Sequence, residues 1–343
     1  MASLLVLITL CLVAVGIEGT HNVTISVLET AISRGAVCLD GTPPAYAYSP
    51  GFGEGVDNWH VFLEGGAWCG STAGCLNRSG TSLGSSAKLI SINNGIQSFS
   101  GMLDDNSTFN PDFYNWHVFK IFYCDGSSFM SDIEDVDPKD NLTYRGLRIY
   151  DAMMDELLRI GMGNARNGLA NTLPTSCTSK FSPTLCFFPE NLLQDIQTPM
   201  FLIESAFDQY QLSSNVYPTN AKPPRWVNCT LDLQTFCNWT EIEIMRDFRY
   251  TFIDTLKRTI TDSSSRRGYF VHSCYRHGHL EDPQGSTCSS LVGNVLADKT
   301  IPQAMGDWYY DRSGFQEMDM VNNLPRNCST AVDEATFRKK CGT

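Results

Sequence analysis

The chain has 343 residues, and its 25 Lys+Arg against 37 Asp+Glu give a formal net charge of −12, which argues against nucleic-acid binding through a basic face. With 42% hydrophobic and only 18% charged residues it can build a sizeable core and is not a disordered chain. Its 15 Pro and 27 Gly show no fibrous or low-complexity bias.

Leu4 to Val15 is an apolar run of signal-peptide length, too short to span a bilayer, followed by Gly16, Gly19 and polar residues. Residues 1–19 are therefore expected to be a cleaved signal, with a mature start near Thr20. The bland alternative is a buried N-terminal strand or helix. Of the 13 cysteines, Cys11 lies in this segment. The remaining twelve, an even number behind a signal, predict disulfides rather than metal sites. Seven NxS/T sequons, at Asn22, Asn77, Asn106, Asn141, Asn228, Asn238 and Asn327, point to the same secretory compartment.

Short apolar strands ending in loops then alternate with helices. His60 to Glu64 predicts a strand running into Gly65-Gly66-Ala67-Trp68-Cys69, and Val118 to Tyr123 predicts a second running into Cys124-Asp-Gly-Ser-Ser128. The periodicity from about Tyr144 to Met162 predicts a helix with Leu147, Tyr150, Met154, Leu157 and Leu158 on its apolar stripe. Met200 to Ile203 is a third strand, leading to Asp208. A second helix is expected from Thr240, with Glu243 completing a capping box, and with Ile242, Met245, Phe248, Phe252, Leu256 and Ile260 inward. Tyr269 to Val271 is a fourth strand, opening onto His277 and His279. This alternation predicts an α/β fold with a mainly parallel sheet, and function is expected in loops at the carboxyl ends of its strands.

Those loops offer Gly65/Gly66, Asp125, Asp208 and His277 in chain order. An acid followed by a histidine is the second half of the Ser, Asp, His order of α/β-hydrolases. The serine is harder to find. Gly80-Thr-Ser82-Leu-Gly84 fits GxSxG literally, but no strand precedes it and a sequon sits at Asn77. Ser127 and Ser128 follow a strand yet lack the second glycine that lets a helix pack behind the turn. His277 alone could be a surface histidine, and Asp208 a helix cap. His277, His279, Cys274 and Cys288 suggest zinc less than they suggest disulfides. His21, His60, His117 and His272 carry nothing beyond a structural reading.

Gly35 to Tyr46 (GAVCLDGTPPAY), Leu63 to Cys69 (LEGGAWC), Asn110 to Trp116 (NPDFYNW), Tyr123 to Phe129 (YCDGSSF), Cys186 to Pro189 (CFFP) and Gly306 to Arg312 (GDWYYDR) resemble the plant pectin acetylesterases. The animal lipid-deacylating relative notum is a more distant likeness. The resemblance covers nearly all of residues 20–343. It implies a single secreted α/β-hydrolase-like domain, disulfide-bonded, with a mainly parallel sheet flanked by helices. It implies hydrolysis of acetyl esters of homogalacturonan in the pectin of the plant cell wall, with no cofactor and no metal. Asp208 is then the triad acid, His277 the base, and the Gly66 and Ala67 amides the oxyanion donors. Such a family carries a GCSAGG-type nucleophile elbow just after the helix ending near Met162. Here the chain passes from Gly163-Asn-Ala-Arg166 directly to Asn167-Gly-Leu-Ala. An apparent deletion near 166–168 would remove the serine together with one central strand. The alternative function is a catalytically inactive variant that binds the wall without hydrolysing it.

Overall fold

The computed structural model describes residues 21–108, 110–136, 138–164, 179–180, 196, 198–212, 229, 237–260, 267–277 and 295–326. The expected signal at residues 1–19, the expected deletion at 166–168 and His279 lie outside these.

The N-terminal part is built on five strands: β1 (His21–Val27), β2 (Ala45–Ser49), β3 (Trp59–Leu63), β4 (Ile96–Phe99) and β5 (His117–Ile121), in the order β3-β5-β2-β1-β4. The β3–β5 pair is parallel, while β5–β2, β2–β1 and β1–β4 are antiparallel. Three helices accompany it: α1 (Thr72–Ser79), α2 (Ser86–Ile92) and α3 (Gly146–Ile160). The C-terminal part holds β6 (Met200–Ser205), α4 (Trp239–Thr259), β7 (Arg267–His272), the β8–β9 hairpin (Val295–Leu296 and Lys299–Thr300), α5 (Ile301–Tyr309) and β10 (Gln316–Met318). Its sheet is all parallel, in the order β10-β7-β6. The α/β-hydrolase-like class is as expected; parallel pairing joins β3 to β5 and β7 to β6 and β10, while β5-β2-β1-β4 is antiparallel.

Alternation along each strand sends side chains to opposite faces. On β5, Phe119 and Ile121 meet Ile149, Ala152, Met153 and Leu157 of α3, whereas Val118 faces Leu89 of α2 with Val23, Ala47 and Phe99. On β7, Phe270 meets Ile301 and Ala304 of α5, whereas Val271 meets Ile253 of α4. Both sheets are thus sandwiched between helices.

Two helix readings change. The buried face of α3 is Ile149, Ala152, Met153, Glu156 and Leu157, with Leu147 and Leu158 exposed. The apolar stripe is wide enough for two registers, and the one that fits Phe119 and Ile121 prevails. The capping box of α4 is Asn238 with Glu241, not Thr240 with Glu243. Glu241 N–H donates to Asn238 Oδ1 at 3.1 Å, and Asn238 N–H donates to Glu241 Oε2 at 2.8 Å. Both pairs satisfy the same spacing, and the earlier one adds two residues to the helix.

Among the described residues, apolar contact, one ion pair and a hydrogen bond from Tyr310 Oη to Asp112 O at 3.3 Å, rather than sheet hydrogen bonds, join the two parts. Met102, Phe113 and Trp116 of the first pack with Phe270, Ile301, Ala304 and Phe315 of the second. Arg312 clamps Asp112 bidentately at 2.9 and 2.6 Å. Gly306 lies beneath that carboxylate, where a Cβ would stand 1.8 Å from Asp112 Oδ2. Among the described residues β3 and β6 are both edge strands. Their apolar side chains are accordingly half-exposed: Val61 and Phe62 on β3, and Phe201, Leu202 and Ile203 on β6.

Candidate active site

Asp208 and His277 come together at the carboxyl ends of β6 and β7, neighbouring parallel strands in register from Met200 opposite Arg267 to Ser205 opposite His272. After β6 the chain turns sharply. Ser205 Oγ donates to Cys274 O and accepts from Phe207 N–H at 3.0 Å, and Ala206 N–H donates to His272 O at 2.8 Å. Asp208 is delivered into the interior, 1% exposed. Its Oδ1 accepts from Gln211 N–H at 2.8 Å, and its Oδ2 accepts from His277 Nδ1–H at 2.8 Å. Asp208 is therefore both the helix cap that the bland reading allowed and the partner of His277.

The His277 side chain is 60% exposed, and the Tyr210 ring lies 5.2 Å away. The hydrogen bond to Asp208 raises the His277 pKa above its ordinary value; partial burial opposes this, and the charges of Asp208 and Glu204 add to it. Pairing through Nδ1 leaves Nε2 as the free position, the arrangement of a general base oriented by a buried acid.

The turn after β3 is fixed from below by Tyr123. Its ring fills the space under Gly66, where a Cβ would stand 2.1 Å from Tyr123 Cδ1. Its hydroxyl donates to Ala67 O at 2.7 Å and accepts from Ser128 N–H at 3.1 Å. Ala67 has φ 55°, in the left-handed region that favours glycine, and holding alanine there costs about 1 kcal/mol. Arg78 donates to Gly66 O, Cys69 N–H donates to Gly126 O at 3.1 Å, and the Cys69–Cys75 disulfide ties the turn to α1. Among the described residues, neither the Gly66 nor the Ala67 N–H finds an acceptor. Two free amides on a rigid turn are what an oxyanion site requires.

Asp125 is a loop organiser. Fully buried after β5, it accepts from Ser127 N–H at 3.1 Å and Phe129 N–H at 2.9 Å, and burial pushes its carboxyl up despite those bonds. Ser128 Oγ accepts from Trp68 Nε1–H at 2.8 Å. Ser82 stands in the turn between α1 and α2, a helix-to-helix setting without a preceding strand. Tyr123 and Arg78 are the supports that sequence reasoning missed; the aromatic pair Phe122–Tyr123 at the end of the β5 run was the available signal.

All seven described cysteines are disulfide-bonded: Cys38–Cys124, Cys69–Cys75, Cys229–Cys237, and Cys274. Cys229, Cys237 and Glu241 cluster like metal ligands, but the two sulfurs bond each other and Glu241 caps α4. No helix among the described residues is long and apolar enough to cross a membrane.

Comparison with known proteins joins these observations. In solved structures, the Wnt deacylase Notum from Drosophila is similar in fold, with a TM-score of 0.65 at 17% identity, covering 90% of this chain and 97% of that one. Pectin acetylesterase 7 of Arabidopsis thaliana is 36% identical over 376 residues, covering 91% of this chain and 93% of its own length. Pectin acetylesterase 11 of the same plant is 35% identical with the same coverages. An alignment of 376 residues drawn from 91% of a 343-residue chain leaves several tens of its positions without a counterpart here. The pectinacetylesterase family model matches in two stretches, residues 18–170 and 166–330, which overlap at residues 166–170. With both stretches matched in order and relatives above 30% identity along nearly its whole length, the chain belongs to the pectinacetylesterase family.

Proposed function

We propose that this chain is a secreted carboxylic ester hydrolase acting on acetyl esters of homogalacturonan in pectin of the plant cell wall. The observation that carries the reading is the 2.8 Å bond between His277 and buried Asp208 on adjacent parallel strands, in a chain of this family. Asp208 is the acid, His277 the base, and the Gly66 and Ala67 amides the oxyanion donors. The expected signal, sequons and disulfides support secretion. The family's curated members support pectin as substrate.

The nucleophile is not identified. The match broken at residues 166–170, together with β3 and β6 as edge strands among the described residues, supports a deletion that took the elbow strand and its serine. The chemistry left to these residues is attack by water. His277 Nε2 takes a water proton as the oxygen bonds to the acetyl carbon, and the carbonyl oxygen gathers charge against the two amides. Collapse then breaks the bond to the sugar oxygen, which recovers the proton from His277; the free hydroxyl and acetic acid leave, and the acid gives up its remaining proton to solvent as acetate. Sites lacking the serine retain about 10³–10⁴-fold acceleration over water from oxyanion and binding contributions. Net charge −12 repels polygalacturonate at long range, so esterified stretches are the better substrate.

Acetate release from acetylated homogalacturonan tests this. The expected result is slow release, lost in His277→Ala, without labelling by a fluorophosphonate. Labelling at Ser82 or Ser128 would reveal a substitute nucleophile. Pectin binding with no release that depends on His277 would establish the second reading, a non-catalytic wall-binding protein.

A further inference from the structure

We propose that His21, Asp104 and Asp105 form a binding site for a divalent transition-metal ion, with Zn²⁺ as the fitting species, separate from the ester-hydrolase centre. The site is assembled by β1 and β4. Their antiparallel register sets His21 opposite Phe99, and the turn that follows β4, Gly101–Leu103, delivers the two aspartates. One nitrogen of His21 and one oxygen from each carboxylate lie within 4.8 Å of one another. An ion about 2.0–2.2 Å from each donor spans donors up to about 4.4 Å apart, so a closure of a few tenths of an ångström completes the contact.

Two independent features point to a ligand there. Asp104 is 1% exposed, and its Oδ2 has no hydrogen-bond partner, while Oδ1 accepts from Asn106 N–H at 2.9 Å. A buried carboxylate oxygen left empty is costly, and such atoms are few in folded proteins. His21 shows the matching half. Its Nε2 lies 3.1 Å from Ser49 Oγ, and its buried Nδ1 makes no hydrogen bond and lies 3.4 Å from Asp105 Oδ1. With Nε2–H donating to Ser49, the Nδ1 lone pair faces the Asp105 carboxylate, as in a ligating imidazole oriented by a second partner. Asp105, 48% exposed, provides the route from solvent.

One imidazole nitrogen and two carboxylate oxygens suit Zn²⁺, whereas Ca²⁺ prefers six to eight oxygens. Two aspartates neutralise the dication. The competing arrangement is a protonated His21 paired with both acids and no metal.

The test titrates the full secreted glycoprotein with Zn²⁺ by calorimetry and with Co²⁺ by its visible absorption. One equivalent is expected to bind, with Ca²⁺ failing to compete. His21→Gln and Asp104→Asn should each weaken binding by about tenfold or more, and Ser49→Ala by about tenfold through the imidazole's orientation. If Asp104→Asn fails to fold, His21→Gln, on the first described residue of β1, is decisive by itself. Zn²⁺ bound as tightly by His21→Gln as by the parent, or no stoichiometric binding at millimolar Zn²⁺, would overturn the site.

Discussion

The turn after β3 and the pair after β6 and β7 contribute to one proposed site but are held in different ways. The Gly66–Ala67 turn is supported redundantly, by Tyr123 beneath it, Arg78 on its carbonyl, the Cys69–Cys75 disulfide and the Asp125-organised loop beside it. The Asp208–His277 pair depends on one side-chain hydrogen bond and a tight turn pinned by Ser205. Backbone amides of an oxyanion site cannot adjust through a rotamer, so the backbone itself must be immobilised. A histidine that passes a proton needs freedom at Nε2, and one buried partner at Nδ1 suffices. Between the two, registry rests on apolar packing and the Asp112–Arg312 clamp.

The largest expected effect is on the lightly held side. His277→Ala should lower acetate release about 10²-fold, the contribution of a general base, and should lower the melting temperature slightly, because the buried Asp208 Oδ2 loses its partner. Unchanged release with unchanged folding would remove His277 from the mechanism.

Next come the staples of the rigid side. Cys38–Cys124 closes a loop of 86 residues and Cys69–Cys75 one of 6. On the chain-entropy account, replacing the first pair by alanine should cost about 4–5 kcal/mol and the second about 2 kcal/mol. Denaturant midpoints measure both, and equal losses would show that loop closure is not the governing term.

The junction is probed by Gly306→Ala. Its Cβ would press on Asp112, which Arg312 holds in place, so a loss of about 1–3 kcal/mol is expected in thermal unfolding. Arg312→Ala in the same background should recover part of it. Additive losses would mean that the clamp and the glycine are uncoupled.

Tyr123→Phe deletes a hydroxyl that serves both Ala67 and Ser128, a loss of about 1 kcal/mol or a little more. Its sharper signature is kinetic: kcat should fall with KM unchanged, since the amides act on the developing oxyanion.

The smallest effect is in pH. Because the Asp208 hydrogen bond raises the His277 pKa, the base form appears only above the ordinary 6.5, and acetate release should climb with pH through an inflection above that value. Asp208→Asn should move the inflection downward. The same shift makes the pairing's contribution to stability complete below pH 6.5 and lost as pH rises through the folded pKa. An inflection that does not move in Asp208→Asn would uncouple the pair.

The sequence by itself determined the parts whose signals are local. The short apolar runs at His60, Val118, Met200 and Tyr269 became β3, β5, β6 and β7, because about three to six residues of this kind ending in a turn have few alternatives to a buried strand. Asp208 and His277 were legible from their places just after such runs. The deletion proposed near Arg166–Asn167 was read from the family resemblance, in agreement with the lack of such a run between Met162 and Cys177. Tertiary structure alone decided what depends on partners distant in the chain. Nothing in HNVTISV or AYAYS specifies that β1 and β2 pair antiparallel with β4 and β5, since register is set by which face each strand must bury. The same reasoning covers α3, whose two apolar registers were separated only by contact with Phe119 and Ile121. It also covers His21, which carries no signal until the β1–β4 pairing brings it beside two aspartates far along the chain.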